Sequence, residues 1–150
     1  MESSAVIATK KNRVFIVDDN TFVRQGLRSF FDSYPDLSIC GEAGSVQAAL
    51  EKISFPEPDI AIIDLSLNGK ETAGIELIRK MRDKNLMFPI LAHSYHNETP
   101  FIQSAISAGA QGYVLKLDAR KNIVNAIRQV LAGKTYMSDS LAYIDFIGKK

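Results

Sequence analysis

Asp59 to Asp64 reads DIAIID, four consecutive apolar residues held between two aspartates. A strand that is apolar on both faces must be covered on both faces, and that is the condition of a parallel sheet between two layers of helices. Arg13 to Val17 (RVFIV), Pro89 to Ala92 (PILA) and Gly112 to Leu115 (GYVL) have the same character, and Ser38 to Cys40 is a shorter piece that stops at Gly41. Between these runs the apolar residues recur at helical spacing. Phe22, Val23, Leu27, Phe30 and Phe31 form the first such set, and Val46 to Ile53 the second, with Ser45 placed to cap it. Ile75, Leu77, Ile78 and Met81 form the third. The fourth starts at Asn97-Glu98-Thr99-Pro100 and ends at Gly109. Ile123, Val124, Ile127, Val130 and Leu131 share a face of the fifth, capped by Asp118 and ended by Gly133.

Five strands alternating with five helices, joined by right-handed crossovers, give an α/β doubly wound parallel sheet in the order 2-1-3-4-5. A length of 150 residues suits one domain. The reading places a disordered leader at residues 1–12, the domain at 13–137 and a tail or the start of a linker at 138–150. In that last part Leu141, Ile144 and Ile147 either begin a linker helix or cover the domain's edge.

Hydrophobic residues make up 46% and charged residues 23%, which excludes a disordered or low-complexity chain. A net charge of +1 leaves no electrostatic footprint for nucleic acid. The single cysteine, Cys40, rules out an internal disulfide and a cysteine-based zinc site, and it is expected as a small buried residue at a strand end. With His93 and His96 the only histidines, a histidine-rich metal site is excluded too. No run approaches the roughly 18 apolar residues of a membrane span. A cytoplasmic location with no membrane partner is therefore expected.

In such a sheet the functional edge lies at the carboxyl ends of the strands. There the first strand delivers Asp18 and Asp19, the third Asp64, the fourth Ser94 and the fifth Lys116. A lone aspartate after a strand is ordinarily a turn or cap residue. Five strand ends carrying complementary chemistry are a site. Three carboxylates in one pocket repel, so they favour a bound cation or a raised pKa. Oxygen ligands suit Mg²⁺, which pairs with phosphate oxygens. With the Lys116 ammonium and the Ser94 hydroxyl added, these are the parts phosphoryl transfer needs. Asp64, alone at the end of a central apolar strand, is the best nucleophile.

The blocks VFIVDDN, IAIIDLSL, PILAHSYHN and GAQGYVLK resemble, in order, those of bacterial response-regulator receiver domains, and the resemblance runs from about Arg13 to Met137. Asp64 and Ser94 are 30 residues apart, Ser94 and Lys116 22, both as in that family. AIRQVLAGKTYMSDSLA is similar to the NarL/FixJ (LuxR-type) subgroup. The resemblance implies a flavodoxin-like fold and a set of roles. Asp64 is the phosphoacceptor, supplied by a histidine kinase or a histidine phosphotransfer protein. Asp19 is the direct Mg²⁺ ligand, Asp18 acts on the ion largely through water, and the Ser66 backbone carbonyl completes its shell. Lys116 pairs with phosphoryl oxygens, Ser94 is the switch hydroxyl, and Tyr113 is the aromatic that follows it. On this reading the chain is not an enzyme, although it assists its own phosphorylation and dephosphorylation. A homodimer through the first and fifth helices or the fourth-helix face is a further implied partner. The regulatory domain of a transcription regulator is implied, with DNA reached only through a helix-turn-helix domain that the eight residues after Ala142 cannot form.

The chain departs from the family pattern after Asp64. A proline is usual four residues on and a glycine eight on; here Asn68 and Gly74, ten residues on, stand instead, so the loop is two residues longer. Tyr95 and His96 follow Ser94, and a tyrosine there narrows the route to Asp64. His96 is not expected as a metal ligand. These departures keep open a receiver-like interaction module that is not phosphorylated. A flavodoxin needs a hydroxyl- and glycine-rich phosphate loop where the acidic Asp18 and Asp19 stand. A haloacid-dehalogenase-type phosphatase needs an Asp-x-Asp nucleophile after the first strand, and the sequence has none.

Overall fold

The computed structural model describes residues 10–54 and 56–141, so most of the expected leader and the apolar tail residues Ile144 and Ile147 lie outside the described residues. Its elements alternate as β1 (Asn12–Val17), α1 (Thr21–Phe31), β2 (Leu37–Ala43), α2 (Val46–Lys52), β3 (Ile60–Asp64), α3 (Ala73–Asp83), β4 (Ile90–Ser94), α4 (Thr99–Ala108), β5 (Gly112–Leu115), α5 (Ala119–Leu131) and β6 (Tyr136–Met137). The sheet is parallel throughout and runs β2-β1-β3-β4-β5-β6. β3 is buried along its whole length, as its uninterrupted apolar run requires.

Alternation along the strands builds two cores. Val14, Ile16, Ile62, Leu91 and Val114 face Leu27 and Phe31 of α1 and Ile123 and Ile127 of α5. Phe15, Val17, Ala61, Ile63 and Ala92 face α2, α3 and α4 through Ala49, Leu77, Ile78, Met81, Ile102 and Ala105. Ser45 caps α2, its hydroxyl accepting from the Ala48 amide at 3.1 Å. Pro100 sits in the first turn of α4, and Gly109 ends that helix at φ 128°.

The expected order 2-1-3-4-5 is present, and a sixth strand extends it: Gly133 (φ 88°) turns the chain back, and Tyr136 and Met137 pair with Gly112 and Tyr113. Two residues show no periodicity, which is why the sequence is silent there. Burial continues past Met137, with Ser138 at 0% and Leu141 at 2% exposure. At the other end β1 begins at Asn12, whose amide donates to the Asp36 carbonyl at 2.8 Å. β2 does not stop at Gly41 but runs to Ala43, because the Phe15 ring packs where a Cβ on Gly41 would sit, 2.7 Å away. Cys40 lies on this edge strand and is exposed. Finally, the Asp118 side chain makes no cap bond to α5. A short 3₁₀ turn, Lys116–Asp118, leads into the helix instead, and Asp118 accepts from the Ser140 hydroxyl at 3.3 Å.

Candidate functional site

The parallel strands end together, so Asp18, Asp64 and Lys116 arrive at one edge from β1, β3 and β5. Asp18 is 1% and Asp64 6% exposed. The Lys116 ammonium bridges them, 2.9 Å from Asp18 Oδ2 and 3.1 Å from Asp64 Oδ2. Backbone amides hold the other two oxygens: Asn20 donates to Asp18 Oδ1 at 2.9 Å and Ser66 to Asp64 Oδ1 at 3.2 Å. Asp19 is exposed, and its Oδ2 accepts from the Asn68 amide at 2.8 Å. One oxygen from each of Asp18, Asp19 and Asp64 lies within 4.8 Å of the others. Hard oxygen donors so grouped, with an ammonium balancing part of their charge, fit a small divalent cation.

Burial pushes the Asp64 carboxyl up to about 6, and the neighbouring Asp18 charge adds to it, while Lys116 pulls the other way. For Lys116 burial opposes the charged form, but the hydrogen bond to Asp18 and the charges of Asp64 and Asp18 outweigh it and raise its pKa. Asp64 is therefore a stronger base than an ordinary carboxylate.

The cluster forms the floor of a cleft of about 320 Å³ whose walls include Ser66, Gly69, Tyr95 and His96. Tyr95 is exposed, and its ring centroid lies 5.2 Å from the Lys116 nitrogen, so it flanks the route to Asp64 without closing it. His96 reaches from Nε2 to the Ser66 hydroxyl at 3.3 Å and from Nδ1 to Glu98 at 3.2 Å, and it stacks on Phe101 at 3.9 Å. It stands outside the oxygen cluster.

Ser94 and Tyr113 are not in that lining. Both are buried directly behind it, at 1% and 0% exposure. Ser94 Oγ accepts from the His96 amide at 3.0 Å, and the Tyr113 hydroxyl donates to the His96 carbonyl at 2.7 Å. Burial raises the Tyr113 pKa to about 12, so it remains a donor. The loop after β4 is thus pinned at one residue from both sides.

Sequence reasoning missed two positions. Ser138 accepts from the Leu115 amide at 2.9 Å and donates its own amide to the Tyr113 carbonyl at 3.0 Å, which fixes the strand end that presents Lys116. A serine after a two-residue strand gives no signal of this. His93 is buried on the α1 and α5 side of β4, and among the described residues its Nε2 has no partner. Its place between Ala92 and Ser94 in an apolar run was the available signal.

A doubly wound sheet with a lysine-bridged acidic cluster at its carboxyl edge defines the class, a signalling receiver. Residues 14–128 match the response regulator receiver domain, and the chain belongs to that family. It is similar to the nitrate/nitrite response regulator NarL of Escherichia coli, 29% identical over 128 residues, 85% of this chain and 58% of that protein. The transcriptional activator DevR/DosR of Mycobacterium tuberculosis is 33% identical over 130 residues, 87% of this chain and 59% of that protein. A solved LuxR-family two-component response regulator from an Aurantimonas species superposes with a TM-score of 0.83 at 34% identity, over 89% of this chain and 94% of that one. The chain thus spans less than two thirds of the length of the curated relatives it matches. Receiver domains of two-component systems bind Mg²⁺ at an acidic pocket, interact with histidine kinases and are generally non-enzymatic. Among the described residues, no helix is long and apolar enough to cross a membrane.

Proposed function

We propose that Asp64 accepts a phosphoryl group from a phosphohistidine of a histidine kinase or phosphotransfer protein, in the cytoplasm. The observation that carries this is the shared Lys116 ammonium between Asp18 and Asp64, with Asp19 completing the oxygen cluster. An Asp64 oxygen bonds to phosphorus while the phosphorus–nitrogen bond of the donor breaks, and the imidazole leaves. Lys116 is within reach of the incoming oxygens once its contact to Asp64 is exchanged for one to the phosphoryl group. Asp18, Asp19, Asp64 and the Ser66 carbonyl would hold Mg²⁺. Bound there, the ion would supply positive charge to neutralise the transferring oxygens.

The readout lies in the loop after β4. A phosphoryl group on Asp64 adds negative charge and acceptor oxygens. The Ser94 hydroxyl turns toward them and gives up the His96 amide. Tyr113 then follows, and the surface made by α4, β5 and α5 changes. That surface, or α1 with α5, serves a homodimer. In a longer protein this switch regulates transcription through a separate DNA-binding domain.

Intact mass after incubation with acetyl phosphate and Mg²⁺ tests the reading. The wild type gains one phosphoryl mass and Asp64→Ala gains none. No adduct on either, with beryllofluoride also failing to bind, overturns it in favour of a module that works without phosphorylation.

A further inference from the structure

The three carboxylates of the cluster are not held alike. Asp18 and Asp64 each have both oxygens engaged by protein donors: Asn20 and Lys116 for Asp18, Ser66 and Lys116 for Asp64. Asp19 has one oxygen engaged, by the Asn68 amide, and among the described residues no other donor reaches it. Asp19 is therefore the carboxylate with an oxygen left over for a cation, and one residue orients it.

That residue sits in the lengthened loop. Leu67 and Lys70 exchange both backbone hydrogen bonds, at 3.1 and 3.0 Å, so Asn68 and Gly69 are the central pair of a two-residue hairpin. Their φ values are 53° and 81°. Positive φ at both positions is the mark of the type I′ turn, for which Asn-Gly is the preferred pair. Asn68 also donates from Nδ2 to the Gly44 carbonyl at 3.2 Å, and a Cβ on Gly44 would lie 3.8 Å from Asp19 Cα. The turn is thus moored to the segment that backs Asp19, while Gly69 lines the cleft.

We infer that Asn68 is a positioning residue for the cation: its left-handed backbone holds the amide that aims Asp19. The role rests on the phosphoacceptor reading. Asn68 then supplies a donor on the Asp19 side, as Lys116 does for Asp18 and Asp64. Without that amide Asp19, exposed and on a loop, samples orientations that a bound ion would have to restrict.

The test is Mg²⁺ affinity by isothermal titration calorimetry on the wild type, Asn68→Gly and Asn68→Val, with thermal unfolding in EDTA alongside. Gly adopts the turn and keeps the amide in place, so its affinity stays within about twofold of wild type. Val resists positive φ, and loss of an orienting partner costs about tenfold in metal affinity. The EDTA melting curve of Asn68→Val stays near that of the wild type while the upward shift produced by Mg²⁺ shrinks. Asn68→Ala replaces it if Asn68→Val fails to fold. Wild-type affinity in the Val or Ala variant overturns the inference and leaves the phosphoacceptor reading standing. A wild type that binds no Mg²⁺ overturns both.

Discussion

Two loops flank the acidic cluster, and they are built on different principles. The loop after β3 is held by its own backbone and by burial: Leu65 is 0% and Leu67 1% exposed, and the hairpin at Asn68 and Gly69 closes on itself. Gly74, the second residue of α3, anchors its far end. Its amide donates to the Leu65 carbonyl at 2.8 Å, and a Cβ there would sit 2.1 Å from the Asp64 carbonyl oxygen. The loop after β4 has no such footing. Tyr95 is 66% exposed, and His96 is tied by polar contacts to Ser94, Tyr113, Ser66 and Glu98. Buried apolar contacts have no second arrangement of similar energy, whereas hydroxyl hydrogen bonds can be exchanged one for another. The first loop suits a fixed wall for a cation, the second a part that moves when charge appears on Asp64.

Breaking the first wall should have the largest effect. Leu67→Ala leaves a cavity under the hairpin and costs about 3 kcal/mol of stability, read by urea unfolding. Gly74→Ala forces Asp64 and α3 apart and costs about 2 kcal/mol. In both variants acetyl phosphate labelling falls more than stability alone explains, because Asp64 and Asp19 lose their shared frame. Equal labelling after loss of Leu67 would remove the distinction between a fixed and a moving loop.

The second loop should respond more gently. Tyr113→Phe keeps the ring and removes the donor to the His96 carbonyl, at a cost of about 1 kcal/mol. Hydrogen exchange should quicken at Tyr95 to Asn97 and stay unchanged at Leu65 to Lys70. Quickening on both sides would show the loops to be one cooperative unit.

The architecture was legible because each strand carried its burial in its letters. DIAIID cannot be an edge strand, and the order of the others follows from crossover handedness. The site was legible for the same reason, since parallel strands must end together, and Asp64 closes its strand while Asp18, Asp19 and Lys116 come just after theirs. What stayed hidden is of another kind. β6 has two residues and is specified by pairing with β5, not by any pattern of its own. The exposure of Cys40 depends on β2 being the edge, where the residues are only partly covered. The mooring of Asp19 runs through a backbone amide, which every residue except proline possesses. The composition of NGKETAG could show that the loop is longer, but not where its amides point.

The smallest effect at neutral pH concerns the roots of the two loops. Asp64 follows Ile63, a core residue, whereas Ser94 follows His93, which is 3% exposed and whose Nε2 has no partner among the described residues. Burial, helped by the Lys116 charge, lowers the His93 pKa to about 3 from 6.5, so the folded chain keeps it neutral. Between those values the unfolded chain binds a proton that the folded chain does not. This contribution to stability is therefore complete above pH 6.5 and is lost as the pH falls toward 3, by at most about 1.4 kcal/mol per pH unit. Asp64, raised to about 6 from 3.8, acts in the opposite direction, since there it is the folded chain that holds the extra proton. Wild type and His93→Leu share that carboxyl, so the difference between their urea midpoints isolates the imidazole. At pH 7 His93→Leu should be as stable as the wild type or gain about 0.5 kcal/mol, because an unsatisfied nitrogen is replaced by apolar surface. On acidification toward pH 5 the gap should widen in favour of the leucine variant. A constant gap would mean that His93 finds a partner when protonated, and the root of the second loop would then be no weaker than that of the first.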